Sequence, residues 1–377
     1  MMAYWKLSCI VQFFLFLHLR GVKPDCDHKK EVVCYYASWA LYRSEEGQFT
    51  TENIDPTLCT NIIYSFAGLN LDLQIASLDP NADITQGGFY NFSQIKAQNP
   101  CVRTTLAVGG WNEGSLKYSI MAADEQTREA FAENALKFIA YYGFDGLDLD
   151  WEYPTARGGI EDDKKNFVSL LKILKQKLSP WGFKVSIAVA MENSYYDVPS
   201  IAEYVDYIHI MAYDVTPADS EVTGLLAPLP IISTNVNAWI DKGASASQLI
   251  LGIPTYARCF NLEDPDDSGI GAKVASNTTC GGIWTNQNGF LAYYEVLEFV
   301  KFFECEDEIL IDSNVYFSCQ DVWMSYDNKK SLESKCQYVK DTGLGGVMLW
   351  SVDTDDFKGL YGEKYPLLTT VNLSLNG

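Results

Sequence analysis

One short segment constrains this chain more than any other: residues 144–154, with the sequence F-D-G-L-D-L-D-W-E-Y-P. Successive side chains of a β-strand point to opposite faces, so a strand here places Asp148, Asp150 and Glu152 on one face and apolar side chains on the other. Three neighbouring carboxylates repel one another, and burial strengthens that repulsion. The alternative is a solvated edge strand, but such a strand would not usually also carry Leu, Leu and Trp on its second face and stop at a proline. We therefore predict a buried strand whose carboxylates share protons.

Short apolar runs recur along the chain, and each is typical of a buried strand. The eight runs span residues 31–39, 61–69, 104–111, 144–152, 184–191, 205–214, 248–256 and 345–353. Between the fourth and fifth runs, the apolar side chains of residues 167–178 follow the period of an amphipathic helix. Eight strands alternating with helices predict an α/β fold, the (β/α)8 TIM barrel. Its active site lies at the carboxyl ends of the strands, where the carboxylate row also ends.

The last two predicted strands are too far apart in sequence for a single crossover helix to join them. Roughly residues 257–325 hold four cysteines, a Gly-Gly pair and many aromatic residues. We therefore expect a small inserted subdomain in this stretch.

The N-terminus is typical of a secretory signal. Lys6 precedes the apolar stretch 7–19, and Gly21 follows it. This pattern predicts a signal peptide over residues 1–21 and a mature domain over residues 22–377. The stretch is too short to span a bilayer comfortably, so we expect a secreted, extracellular protein. If the chain is secreted, its three Asn-x-Ser/Thr sequons are usable glycosylation sites. These sequons lie at Asn91, Asn277 and Asn372.

Cysteine and histidine usage points to disulfides rather than to a metal site. Removing the predicted signal leaves nine of the ten cysteines, none spaced as C-x-x-C, and the chain has only three histidines. Disulfides in an oxidising compartment fit this pattern better than zinc does. The odd number implies one free or intermolecular thiol. No G-x-G-x-x-G or P-loop pattern supports a nucleotide, so we expect neither cofactor nor metal.

Charge and histidine content disfavour several classes of function. The formal net charge of −21 disfavours nucleic acid and anionic membranes as partners and favours a soluble monomer with a neutral ligand. Aromatic residues make up 14% of the chain and provide surfaces that stack on ring-shaped ligands. Only His209 lies inside the predicted fold, so Ser-His-Asp or Cys-His catalysis would depend on it alone. Its position in the middle of a strand predicts a core histidine with satisfied hydrogen bonds.

The segment D-G-L-D-L-D-W-E-Y-P resembles the signature of the family-18 glycoside hydrolases, the chitinases and chitinase-like lectins. Further segments that resemble strands of that family are 33–36 with Trp39, 106–112, M-A-Y-D at 211–214 and 346–351. The resemblance implies a TIM barrel with an α+β insertion after the seventh strand and a disulfide between Cys34 and Cys59. It also implies that chitin or chito-oligosaccharides are the substrate.

The resemblance further implies substrate-assisted hydrolysis, in which the N-acetyl group of the sugar supplies the nucleophile. Glu152, at the open end of the row, would be the general acid, kept protonated by its neighbours and by burial. Asp150 would orient the acetamido N–H, and Asp148 would share a proton with Asp150. Tyr213 would donate to the acetamido oxygen. Trp350 would form the apolar floor under the reacting sugar.

Other side chains are expected to contact the sugar chain by the same resemblance. Trp111, Trp39 and Tyr35 stand at strand ends where the family stacks N-acetylglucosamine rings, and core packing is their alternative role. Further expected substrate contacts, any of which could instead be structural, are Phe66, Asn112, Met211, Asp214, Tyr256 and Arg258. Asp145 has the opposite strand parity and is assigned a structural hydrogen bond.

One loop departs from the family pattern. After M-A-Y-D the family often continues Phe-His-Gly-x-Trp, whereas this chain has V-T-P-A-D at residues 215–219. Losing an aromatic residue there weakens stacking on the leaving part of the sugar chain by roughly 1–3 kcal/mol, if it behaves like base–aromatic stacking. The carboxylate row is intact, so an active chitinase is the leading interpretation. The alternatives are a chitin-binding lectin or growth-factor-like protein on the same fold, and an endoglycosidase that acts on N-glycan cores.

Overall fold

A computed structural model describes residues 26, 28–276, 280–305 and 308–377. The strands in this part of the chain are β1 (Glu31–Ala37), β2 (Asn61–Leu69), β3 (Ile75–Ser77), β4 (Arg103–Gly109), β5 (Gly146–Asp150), β6 (Lys184–Ala190), β7 (Tyr207–Met211), β8 (Leu249–Pro254), β9 (Tyr256–Asn261), β10 (Phe290–Ala292), β11 (Ile309–Ile311), β12 (Asn314–Cys319), β13 (Val322–Tyr326) and β14 (Gly346–Trp350). The α-helices are α1 (Gly88–Ser93), α2 (Leu116–Ala123), α3 (Glu125–Tyr142), α4 (Asp163–Leu178), α5 (Val198–Ala202), α6 (Leu229–Asp241), α7 (Tyr293–Phe303), α8 (Lys329–Thr342) and α9 (Pro366–Asn376).

Eight parallel strands close into a barrel in the order β1-β14-β8-β7-β6-β5-β4-β2, and β2 pairs back to β1. Seven of these strands lie within the predicted runs, and β4 begins one residue before its run, at Arg103, so the predicted (β/α)8 TIM barrel is confirmed. A further strand, β3, extends β2 as an antiparallel partner, with Ala67 opposite Ser77. The sequence did not predict β3 because it is three residues long and buries only Ile75.

Helix α3 shows how local sequence sets the bounds of an element. Asp124 caps its N-terminus by accepting hydrogen bonds of 2.8 and 3.3 Å from two backbone N–H groups. Gly143 ends it in the left-handed conformation, with φ of 82°. Phe131 and Ile139, which are eight residues apart and so lie on one face of the helix, are fully buried. The helices thus cover the outside of the barrel and leave its strand ends free for a site.

A second sheet follows β8. Its five antiparallel strands have the order β10-β9-β13-β12-β11, and helix α7 lies between β10 and β11 in sequence. Two disulfides, Cys259–Cys280 and Cys305–Cys319, join its segments. The sheet and helix form the α+β addition to the barrel, and one of its loops reaches the cleft described below.

Two more disulfides lie in the barrel domain. Cys34 pairs with Cys59, the pairing that the resemblance implied, and Cys26 pairs with Cys101. Among the described residues, Cys336 is the free cysteine, and it is buried. No helix in the described ranges combines the length and apolar character that crossing a membrane requires. The predicted signal peptide and the sequon at Asn277 lie outside the described residues.

Candidate active site

A cleft of about 1360 Å³ opens at the carboxyl ends of the barrel strands. Of the predicted site residues, the cleft is lined by Phe66, Trp111, Asn112, Asp150, Glu152, Met211, Tyr213, Asp214, Tyr256, Arg258 and Trp350, and Trp39 also lines it. A loop of the second sheet contributes residues 284–287. The structure therefore brings most of the predicted site together, although its members are spread over the whole chain.

The backbone around Asp150 is fixed by neighbouring strands. Asp150 pairs with Gly109 of β4 and Ala188 of β6, and these are the last register pairs that β5 makes. Gly109 has φ of 125°, and a Cβ there would lie 2.0 Å from the carbonyl oxygen of Asp150, so only glycine fits. Strand β5 was predicted to extend to Glu152 but ends at Asp150, because neither neighbouring strand pairs with it further. Glu152 lies beyond the ladder and lines the cleft.

Asp148 forms the buried end of the carboxylate row. Its side chain accepts hydrogen bonds of 2.6 Å from the Tyr35 hydroxyl and 2.6 Å from the Ser186 hydroxyl. His209 Nδ1 lies 3.2 Å from Asp148 Oδ1. Asp148 is fully enclosed, so these contacts replace the water that a carboxylate would otherwise need.

Asp150, the middle member, is differently placed. It is 4% exposed, and its Oδ1 atom is buried without a hydrogen-bond partner among the described residues. Buried polar atoms are normally satisfied, and Asp150 lines the cleft, so its orphaned oxygen calls for a donor that the described residues do not supply. An N–H group of a bound substrate is one donor that suits it.

The pKa values of Asp150 and Glu152 are both raised above their ordinary values. Burial raises the pKa of Asp150 well above its ordinary value, and the charges of Glu152 and Asp148 raise it further. Burial also raises the pKa of Glu152 to about 7, and the charge of Asp214 adds to this effect. A hydrogen bond from Tyr153 and the positive charge of Arg157 oppose the rise. Glu152 can therefore carry a proton at neutral pH, as a general acid must.

Asp214, whose charge acts on Glu152, is held in a network of hydrogen bonds. Arg258 donates two hydrogen bonds of 2.8 Å to its two carboxylate oxygens, and the Tyr256 hydroxyl donates one of 2.9 Å. The ring of Tyr213 packs edge-on against Tyr256 at a centroid distance of 6.2 Å. The M-A-Y-D segment thus presents Tyr213 and Asp214 to the cleft in fixed positions.

The floor of the cleft is aromatic. Trp350, at the end of β14, stacks on Phe66 with centroids 5.7 Å apart, and Trp39 lies 6.0 Å from Trp350. Trp39 is 46% exposed and Trp111 is 57% exposed, so both present open ring surface. The guanidinium of Arg157 covers Trp111 at 3.5 Å from the ring centroid. These surfaces suit flat, ring-shaped ligands.

The structure places Tyr35 in the barrel core, its alternative role, and not in the lining of the cleft. Tyr35 lies inside β1, is 1% exposed and does not line the cleft. Its side chain packs with Val33 in the barrel interior, and its hydroxyl reaches Asp148 and, at 2.9 Å, His209 Nδ1. The shared strand parity of Val33 and Tyr35 could have indicated this inward direction.

His209 is buried as predicted, but its hydrogen bonds are not all satisfied. Nδ1 contacts Tyr35 and Asp148, whereas Nε2 has no partner in the described ranges. The histidine therefore lies behind the cleft and contacts the buried end of the carboxylate row, a contact that the sequence interpretation missed. Its spacing of two residues from Met211, on the same strand, was the available signal. Asp145 lies at the opposite end of β5 and accepts a 3.0 Å hydrogen bond from Lys96.

Comparison with known proteins identifies the family. Residues 31–355 match the description "Glycosyl hydrolases family 18". Chitotriosidase-1 of Mus musculus is 36% identical over 372 residues, which cover 92% of this chain and 78% of that protein.

Solved structures agree with this match. One is catalytic domain 2 of the Ostrinia furnacalis Group II chitinase, a mutant in complex with penta-N-acetylchitooctaose. It has a TM-score of 0.88 at 35% identity, and the match covers 92% of this chain and 96% of that chain. Human YKL-39 is described as a pseudo-chitinase with retained chitooligosaccharide binding. It has a TM-score of 0.84 at 29% identity, and the match covers 92% of this chain and 100% of YKL-39. The chain described here belongs to glycosyl hydrolase family 18.

Proposed function

We propose that this protein is a secreted chitinase that hydrolyses β-1,4 bonds between N-acetylglucosamine units of chitin and chito-oligosaccharides, with retention of configuration. The observation that carries the proposal is Glu152, a buried carboxyl with a pKa raised to about 7, in the same cleft as the orphaned Oδ1 of Asp150. A lectin binds sugar without cutting it and therefore needs no proton donor next to a glycosidic bond.

The bond is broken in a first step that needs Glu152 and the substrate. Glu152 gives its proton to the bridging oxygen as the bond between that oxygen and the anomeric carbon breaks. The carbonyl oxygen of the N-acetyl group bonds to the anomeric carbon from the opposite face, which forms an oxazolinium ion. Asp150 Oδ1 accepts the acetamido N–H and offsets the positive charge.

Water completes the reaction in a second step. The Glu152 carboxylate takes a proton from a water molecule, whose oxygen attacks the anomeric carbon and opens the oxazolinium ring. Two inversions at one carbon give overall retention. Glu152 is then protonated again and ready for the next bond.

The surrounding residues hold this geometry. Asp148 shares a proton with Asp150 and is itself held by the hydroxyls of Tyr35 and Ser186. Tyr213 donates to the acetamido oxygen, and Trp350 supports the sugar ring. We further propose that Trp111, Trp39, Phe66, Asn112, Met211, Asp214, Tyr256 and Arg258 contact the sugar chain.

The replacement Glu152→Gln tests the proposal, because the amide keeps the shape of the side chain but cannot donate a catalytic proton in the same way. We expect loss of turnover of a fluorogenic chitotrioside with binding of chito-oligosaccharides retained. Glu203→Gln, at an exposed position away from the cleft, is the matched control. Unchanged turnover in Glu152→Gln would refute the assignment, and binding without turnover by the unmodified protein would favour the lectin alternative.

Secretion and a monomeric state are part of the same proposal. Four disulfides suit an oxidising compartment, and the charge of −21 opposes self-association. Expression in a secretory host should yield a glycosylated chain that begins after residue 21. Sequencing of the secreted N-terminus and size-exclusion chromatography check the two points.

A further inference from the structure

We infer that Asp219 makes the leaving side of the cleft selective for a glucosamine unit with a free, protonated 2-amino group. The enzyme would then cut partially deacetylated chitin preferentially between an N-acetylglucosamine and a glucosamine. This inference rests on the proposed function, since it concerns the substrate of the same cleft.

Asp219 is a free charge in a cleft whose other charges outside the carboxylate row have partners. The pairs that the other charged lining residues form are Arg258–Asp214, Arg43–Asp353, Glu113–Lys117 and Tyr42–Asp79. Within the described residues, the side chain of Asp219 makes no ion pair or hydrogen bond, and the residue is exposed. Its carboxylate is therefore available to a ligand.

The loop that carries Asp219 is held in place. At its start, the backbone N–H of Val215 donates a 3.0 Å hydrogen bond to the carbonyl of Leu226. In its middle, Ala218 packs against Gly289 of the inserted segment so closely that a Cβ on Gly289 would lie 2.8 Å from the Ala218 Cβ. The loop thus fixes Asp219 at the rim of the cleft, where it belongs to the lining.

The position of Asp219 in the loop defines what it would recognise. The resemblance implies that this loop shapes the sites of the leaving sugar units, and the family often has Trp at its fifth position, so a carboxylate here replaces a stacking surface. The insertion adds the neutral polar residues 285–287 to the same lining, so no cation of the protein competes for Asp219 there. A sugar unit with an ammonium group complements this side better than an acetylated one does.

The chemistry of the reaction permits this selectivity on one side only. The unit whose anomeric carbon reacts must keep its N-acetyl group, since that group supplies the nucleophile. The leaving unit contributes only the bridging oxygen, so its amino group is free to vary. Selectivity for glucosamine can therefore arise at Asp219 without a change in the catalytic residues.

The expected size of the effect is modest and depends on salt. An exposed ion pair changes binding by about two- to five-fold, and its attraction is screened as ionic strength rises. The Debye length falls from about 30 Å at 0.01 M to about 8 Å at 0.15 M, so low salt exposes the preference.

The test is a digest of partially deacetylated chitin, with the new chain ends of the products identified by NMR. We compare the unmodified enzyme with Asp219→Asn, and with Asp267→Asn as a control at an exposed site away from the cleft. At low salt, the ratio of glucosamine to N-acetylglucosamine at new non-reducing ends should fall about two- to five-fold in Asp219→Asn. The control should give the same ratio as the unmodified enzyme. Added salt should lower the ratio of the unmodified enzyme and leave the ratio of Asp219→Asn unchanged.

Equal non-reducing-end ratios for the unmodified enzyme and Asp219→Asn would overturn the inference. A second variant, Asp219→Trp, restores the family residue and should also lose the preference for glucosamine. If Asp219→Trp kept that preference, the inference would be overturned as well. The new reducing ends report separately on the proposed function. They should all be N-acetylglucosamine, and glucosamine among them would contradict substrate assistance whatever the non-reducing ends show.

Discussion

The hydroxyl of Tyr35 donates a 2.6 Å hydrogen bond to Asp148 at the buried end of the carboxylate row. Replacing Tyr35 with Phe removes one donor from a fully buried carboxylate. We expect the free energy of unfolding to fall by about 1–3 kcal/mol and kcat to fall about ten-fold, because hydrogen bonds to charged groups contribute on that scale. Urea unfolding and steady-state kinetics on a chito-oligosaccharide measure the two effects.

The control for this variant lies on the same strand. Tyr36 points to the other face of β1 and packs outside the barrel with Phe92. Tyr36→Phe should leave kcat close to that of the unmodified protein. A raised KM with unchanged kcat in Tyr35→Phe would instead indicate the sugar contact that the structure disfavours.

Activity should depend on pH through Glu152. A general acid works in its protonated form, and burial raises the pKa of Glu152 to about 7. We therefore expect kcat/KM to fall as the pH rises through about 7. Initial rates at low substrate concentration across this range measure the change. A profile that stays flat above neutral pH would contradict the role of Glu152 as the donor.

Stability should depend on the same group, with a defined sign. The pKa of Glu152 is raised in the folded protein above its ordinary value of 4.5. Glu152 therefore stabilises the folded state most below about pH 4.5, and this contribution to the free energy of unfolding is lost as the pH rises through about 7. Glutamine cannot ionise. Over that pH interval the free energy of unfolding of Glu152→Gln should therefore rise by up to about 3 kcal/mol relative to that of the unmodified protein. Urea unfolding at several pH values measures this difference. If the pKa of Glu152 were ordinary, the free energies of unfolding of the two proteins would change in parallel over this interval.

The carboxylate row shows how much of the site follows from sequence. A strand period of two predicts that Asp148, Asp150 and Glu152 share a face; the structure buries Asp148 fully and places Asp150 and Glu152 in the lining of the cleft. The end of the strand could not be predicted, because it depends on where Gly109 and Ala188 stop pairing with β5. That information belongs to neighbouring strands rather than to the segment itself.

Contacts across the barrel were harder still to predict. Tyr35 and His209 are 174 residues apart in sequence yet meet at 2.9 Å beside Asp148. Strand parity indicates that each points inward, but the height of each side chain in the barrel depends on the register of several strands. Arg157 lies in a loop without periodicity, so nothing in the sequence pattern indicated its contact with Trp111.

The loop residue Arg157 links a sugar platform to the general acid. Its guanidinium lies 3.5 Å from the ring centroid of Trp111 and donates hydrogen bonds of 2.8 Å to the Trp111 carbonyl and 3.0 Å to the Glu152 carbonyl. Its charge also lowers the pKa of Glu152. In Arg157→Gln we expect the alkaline fall in kcat/KM to move to higher pH. We also expect KM for long oligosaccharides to rise about three-fold, since a cation–π contact is lost.

Arg157→Lys separates the two effects. Lysine keeps the charge, so the pH at which activity falls should stay near that of the unmodified enzyme. It lacks the planar fork of arginine, so the rise in KM should persist. If both variants left the pH profile and KM unchanged, Arg157 would have no part in positioning Trp111 or Glu152.

The odd cysteine should be a buried and unreactive thiol. The four disulfides use eight of the nine cysteines in the predicted mature chain, which leaves Cys336 on α8. Cys336 is fully buried, and burial raises the pKa of its thiol to about 12, so little thiolate forms at neutral pH. We expect no reaction with Ellman's reagent in the folded protein and one thiol per chain after denaturation. Cys336→Ala should show none in either state, whereas a covalent dimer on a non-reducing gel would mean that the ninth cysteine pairs between chains.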